Sequence, residues 1–85
     1  MAFAVVIMAH LKAMATRRSP QSRFRWKLAL VKGLYEKGFG RRDIIQLFTF
    51  IDWVMILPEA LERSFEQEIT EYEKERDVDY VTSIE

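Results

Sequence analysis

The chain has 85 residues, 13 Lys+Arg against 13 Asp+Glu, no cysteine, one histidine and 49% hydrophobic residues. That is the balance of one small globular domain rather than a disordered segment, so residues 1–85 are read as a single domain. Lack of cysteine excludes disulfides, Cys-based catalysis and the common structural zinc patterns.

The neutral sum hides an asymmetry. Residues 1–42 carry ten basic residues and one acid, Glu36, whereas residues 43–85 carry three basic and twelve acidic ones. Such halves can pair within one chain, pair head to tail between chains, or turn a basic face toward nucleic acid. The uncharged start from Met1 to Met8 has no basic residue before it and is too short for a bilayer span of about 20 residues. The expectation is a cytoplasmic protein with no membrane partner.

From Phe3 to Met14 apolar residues are too dense for a clean stripe. Ala4, Ala9, Ala13, Met8 and Leu11 favour helix, against the β-branched run Val5-Val6-Ile7. Thr16 to Ser22, broken by Pro20, is the clearest loop. Ser19 or Ser22 can cap a second helix, with Phe24, Leu28, Val31 and Tyr35 on its buried face and Gly38 at its end. Gly38-Phe39-Gly40 turns the chain into a third helix, apolar on most sides, which belongs in the middle of the domain. Pro58 opens a fourth, charged helix with a narrow stripe of Leu61, Phe65, Ile69 and Tyr72. The fold predicted is all-α, a small bundle of about four helices near 3–15, 22–37, 41–56 and 58–76. A weakly ordered tail follows, alternating like a strand from Val78 to Ile84.

Four constellations bear on chemistry. Arg17, Arg18, Arg23, Arg25 and Lys27, interleaved with Phe24 and Trp26, have the composition of a DNA-binding surface with stacking rings. The plainer reading is a solvated loop and helix start with Phe24 in the core. Asp52 interrupts an apolar stretch, and a carboxylate there calls for an ion pair with an Arg or Lys of the second helix rather than for catalysis. Glu66, Glu68, Glu71, Glu73 and Glu75 radiate from the fourth helix and read as solvated surface, not a Mg²⁺ site. His10 has no triad partner at a useful spacing and reads as a core or edge histidine satisfied by backbone. No phosphate loop surrounds Gly33, Gly38 or Gly40. Catalytic, cofactor and metal residues are thus expected to be absent.

Several stretches carry a resemblance: Phe3 to Leu11, Trp26-Lys27-Leu28, Leu34-Tyr35-Glu36-Lys37-Gly38-Phe39, Arg42 to Trp53, Leu57-Pro58, Phe65-Glu66, Tyr72 to Arg76 and Tyr80 to Glu85. Together they resemble the helical C-terminal part of the recombination-promoting nuclease family of transposase-like PD-(D/E)XK proteins, in the versions found in cyanobacteria and related bacteria. Full-length members are similar to Mg²⁺-dependent DNA endonucleases whose α/β core, bearing the acids and the lysine, precedes this region. Each lysine here has a non-acidic residue two positions before it: His10, Arg25, Leu30, Tyr35 and Tyr72. With no (D/E)xK, no catalytic residue carries over.

The resemblance implies a non-catalytic helical accessory fragment in a DNA recombination setting, without its nuclease core. A remnant or partial reading frame is favoured over a stand-alone protein, and Mg²⁺ belongs only to a full-length relative. It also implies a first helix displaced by loss of the core, whose apolar side predicts self-association. The alternatives are a small DNA-binding module using residues 17–27 and a protein–protein interaction helix bundle.

Overall fold

A computed structural model describes residues 2–78 as four α-helices: α1 (Ala2–Ala15), α2 (Pro20–Glu36), α3 (Arg41–Val54) and α4 (Glu59–Glu75). The fold is all-α, as predicted. The strand-like tail expected after Val78 lies outside the described residues.

The breaks fall where the backbone chemistry demands them. Ser19 caps α2, its hydroxyl oxygen accepting from the Ser22 amide at 3.4 Å, with Pro20 supplying the preset φ of a first helical residue. At the other end Lys37 N–H donates to Gly33 C=O, and Gly38 takes φ of 79°, a left-handed position that a side chain would strain. Helix α3 stops at Val54, two residues short of the predicted end near 56, with Met55 as its C-cap at φ −116° and ψ 63°; Pro58, four positions after Val54, has no N–H to give its carbonyl and would clash with it in a continued helix. Pro58 is therefore the N-cap of α4 rather than its first turn, and Glu59 and Glu62 meet the positive helix end.

Helix α1 packs on α3 and α2, and α4 packs on α2. The core between them comprises Val5, Ala9, Val31, Leu34, Tyr35, Ile44, Leu47, Ile51, Met55, Leu57, Phe65 and Ile69. Phe48 of α3 stacks on Phe65 of α4 with ring centroids 6.3 Å apart. The buried face of α2 is rotated slightly from the one predicted. Val31 and Tyr35 are buried as expected, Phe24 and Leu28 only partly, and Lys27 and Leu34 join the core. α1 is not displaced: Val5 and Ala9 seat it against the bundle.

Lys27 is fully buried, and its ammonium donates to Asp52 of α3 at 2.8 Å and Glu62 of α4 at 3.0 Å, above the Phe65 ring. This is the ion pair expected of Asp52, with Glu62 as a second partner that the sequence reading did not name. A second buried polar contact joins the far ends of α2 and α4, where the Tyr35 hydroxyl donates to the Glu73 carboxylate. Glu73 is 2% exposed, which corrects its assignment to the solvated face of α4.

Removing one partner of a buried ion pair costs far more than the pair's net contribution. Lys27→Ala is expected to lower stability by about 3 kcal/mol in denaturant unfolding. Lys27→Met should cost less, because it retains the packed stem while Asp52 and Glu62, with side chains 48% and 32% exposed, keep access to water.

Candidate interaction surfaces

The basic segment splits between surface and interior. Arg17, Arg18 and Arg25 are exposed. Lys27 is not, and its ammonium is held by two carboxylates, so it is withdrawn from the predicted DNA-binding set. Arg23 is also turned inward. Its Nε donates to Thr16 Oγ1 at 3.2 Å, Nη2 to the Ala13 carbonyl at 2.6 Å and Nη1 to the Ile56 carbonyl at 3.2 Å.

One guanidinium thus caps the C-terminus of α1, where a cation suits the helix dipole, and holds the linker between α3 and α4. Thr16 is buried and donates to the Lys12 carbonyl at 2.6 Å, completing this corner. Trp26 is 38% exposed, but the Lys12 ammonium sits 4.0 Å over its ring, so one stacking face is already occupied. Three of the five predicted cations remain available to a phosphate backbone, and Arg25 follows Arg23 by two positions, on the other side of α2.

A further surface feature is apolar. Phe3, Ile7, Met8, Leu11 and Met14 of α1 are 72%, 44%, 41%, 57% and 66% exposed. The spacing of Phe3, Ile7, Leu11 and Met14 makes one stripe, opposite the side on which Val5 and Ala9 are buried. Trp53, 73% exposed near the end of α3, lines a shallow recess with His10, Met14 and Arg17 beside this stripe. His10 is exposed and stacks on Phe50 at 6.3 Å, an edge histidine rather than a core one. The apolar side of the first helix was foreseen from the sequence; the contribution of Trp53 was not.

Between the ends of α2 and α4 lies a cluster with more polar character. The Tyr72 hydroxyl lies 3.3 Å from the Lys32 carbonyl and 3.2 Å from the Glu36 carboxylate, and Arg76 packs over the rings of Tyr35 and Tyr72. Burial, reinforced by the acceptor Glu36, raises the Tyr72 pKa above the ordinary 10.0, while Arg76 pulls it down. These contacts fasten α2 and α4 together.

Among the described residues, no group of three or more His, Asp or Glu side chains is arranged to hold a metal ion, and no helix is long and apolar enough to cross a membrane. No family model matches the chain, and neither a curated protein nor a solved structure matches it.

Two outcomes follow from these contacts. Arg23→Ala should destabilise the fold by about 2 kcal/mol, the scale of hydrogen bonds to a charged group. Arg23→Lys should recover less than half of this in denaturant unfolding, because one ammonium cannot span three acceptors. Tyr72 has the higher pKa in the folded state, so its protonated form contributes stability that is complete below pH 10 and is lost as pH rises through the raised folded value. Tyr72→Phe should therefore make the loss of stability between about pH 9 and pH 11 shallower, as read from denaturation midpoints.

Proposed function

We propose that this chain is a non-catalytic helical accessory module related to the recombination-promoting, transposase-like PD-(D/E)XK nucleases, working by contact with another protein surface. The observation that carries the reading is the outer side of α1, where Phe3, Ile7, Met8, Leu11 and Met14 face solvent in a helix that is also apolar on its inner side. A helix apolar all round belongs inside a larger assembly. The resemblance supplies a candidate for that assembly, since in the family this region follows an α/β nuclease core. In this reading the chain is no enzyme, needs no cofactor of its own, and works in the cytoplasm during DNA recombination.

A small DNA-binding module is the second reading, favoured by the exposure of Arg17, Arg18 and Arg25. It is the weaker one, because Arg23 and Lys27 are engaged inside the fold. The two differ in their response to salt: phosphate-directed binding falls steeply with ionic strength, whereas apolar docking does not.

The test is to translate the DNA upstream of the Met1 codon in three forward frames, seek a Pro-Asp and (D/E)xK-bearing α/β segment, and co-express it with the tagged chain. Co-purification that persists at about 0.5 M salt and is abolished by Leu11→Glu is expected, with no plasmid cleavage by the chain alone in Mg²⁺. Absence of such a segment, or co-purification indifferent to Leu11→Glu, overturns the nuclease-accessory reading. Duplex binding lost on reversing Arg17, Arg18 and Arg25 to Glu would favour the DNA module instead.

A further inference from the structure

We propose that α1 opens as a separate unit: it leaves the bundle and melts while α2, α3 and α4 stay folded together, with the Arg23 guanidinium as the latch that holds it closed. What covers the outer face of α1 does not enter, since the opening concerns only how the helix is held to its own domain.

The ties that join the other three helices do not pass through α1. Lys27 of α2 binds Asp52 of α3 and Glu62 of α4, Tyr35 of α2 donates to Glu73 of α4, and Phe48 of α3 stacks on Phe65 of α4. Apart from Val5 and Ala9, every described member of the buried core belongs to α2, α3, α4 or the linker between the last two. A three-helix unit from Pro20 to Val78 lies in the range of about 55–65 residues in which many domains fold alone. Its first helix keeps its own start, because Ser19 caps α2 through Ser22.

The attachments of α1 are of another kind. Ala9 and Ala13 let its backbone come close to the neighbouring helices, yet a methyl group apiece removes little apolar area from water. Val5 is the largest side chain it places in the fully buried core. Its polar and ring contacts gather at residues 10–16: His10 stacked on Phe50, Lys12 over Trp26, and the Ala13 carbonyl and Thr16 hydroxyl accepting from Arg23. On release each of these groups reaches water, so no buried charge is left unpaired, and Arg23 keeps the Ile56 carbonyl. Opening α4 instead would break the pairs of Lys27 with Glu62 and Tyr35 with Glu73.

Once undocked, α1 does not persist as a helix. It has 14 residues, a β-branched run from Val5 to Ile7 and no acid in its first turn, and isolated helices up to about 12–15 residues are marginal in water. Release therefore frees its intrahelical amides to exchange with solvent.

The experiment is native-state hydrogen exchange of the full chain by NMR, in urea concentrations below the unfolding transition. The amides from Ile7 to Ala15 should exchange at least about tenfold faster than the slowest amides of α2, α3 and α4, and with a smaller urea dependence, because a local opening exposes less surface than global unfolding. Leu11 to Ala15, at the latched end, should exchange through the same opening as Ile7 to His10, which separates release of the whole helix from fraying. Ile69→Val, in the part of α4 that stays folded, should speed the slowest amides up to about tenfold and leave those of α1 unchanged. Ala9→Asp sets a carboxylate into a fully buried position and should abolish protection in α1 while α2 to α4 remain protected.

Amides of α1 that exchange no faster than the slowest ones elsewhere overturn the proposal, as does α4 exchanging ahead of α1. A gradient in which Leu11 to Ala15 are as slow as the rest of the bundle reduces the opening to fraying and overturns it. So does an equal acceleration of α1 and α4 by Ile69→Val, or an Ala9→Asp chain that loses protection in all four helices, since either ties α1 to global unfolding.

Discussion

A cation buried among three helices fixes how this small bundle goes together. Lys27 lies on the inner side of α2 with its ammonium over the Phe65 ring, where solvent cannot reach it, so it must find its counter-charges within the fold. It finds one on each side of the Leu57-Pro58 linker, Asp52 near the end of α3 and Glu62 in the first turn of α4. The end of one helix and the start of the next must therefore converge on a single atom of a third. Apolar side chains tolerate small slides along their neighbours; two carboxylates on one ammonium at 2.8 and 3.0 Å tolerate far less. One turn earlier on α2, Arg23 repeats the arrangement with carbonyl acceptors, joining the end of α1 to Ile56 in the same linker. Two side chains four residues apart thus connect all four helices.

This use of Arg23 and Lys27 changes the meaning of the charge asymmetry. The basic first half and acidic second half partly satisfy each other inside the domain, through Lys27 with Asp52 and Glu62. Other charges lie on the surface of separate elements, among them Arg17, Arg18 and Arg25 around the start of α2, and Glu66, Glu68, Glu71 and Glu75 along α4. The acidic residues are spread around their helix and gather into no metal-binding group among the described residues. The buried polar groups, Lys27, Glu73 and Thr16, all have partners that hold elements together. What distinguishes the outside of the molecule is α1, which carries no acid and a single lysine, Lys12.

The four helices were legible because their breakers are strong and local: the Thr16 to Ser22 loop, the Gly38-Phe39-Gly40 turn and Pro58. Asp52 was legible as an ion-paired residue because a carboxylate in an apolar run has few other fates. Which cation would meet it was not, since five lie within eleven residues and helix phase depends on tertiary packing. A signal was present nonetheless: Lys27 precedes Val31 and Leu34 by four and seven positions, the spacing of one helix face. Glu73 carries the same signal, following Phe65 and Ile69 at steps of four. Both were read as surface because of their charge, when position on the stripe was the better guide. The early end of α3 was hidden by the apolar Met55-Ile56-Leu57, of which Met55 and Leu57 are buried from a linker rather than from another helical turn while Ile56 is exposed.

The composition of α1 connects the fold to its proposed role. On its inner side the helix contributes Val5 and Ala9 to the fully buried core, one medium-sized side chain and one methyl group. On its outer side are a phenylalanine, an isoleucine, a leucine and two methionines. Since hydrophobic stabilisation scales with apolar area removed from water, covering the outer face would add to what Val5, Ala9 and the partly buried Val6 and Ala13 already supply. Its C-terminus is held by Arg23 and Thr16, which keeps the helix on the domain while the face remains open. A helix built this way is anchored by polar contacts at one end while its outer apolar area stays in water, so anything that covered that face would stabilise the domain by mass action.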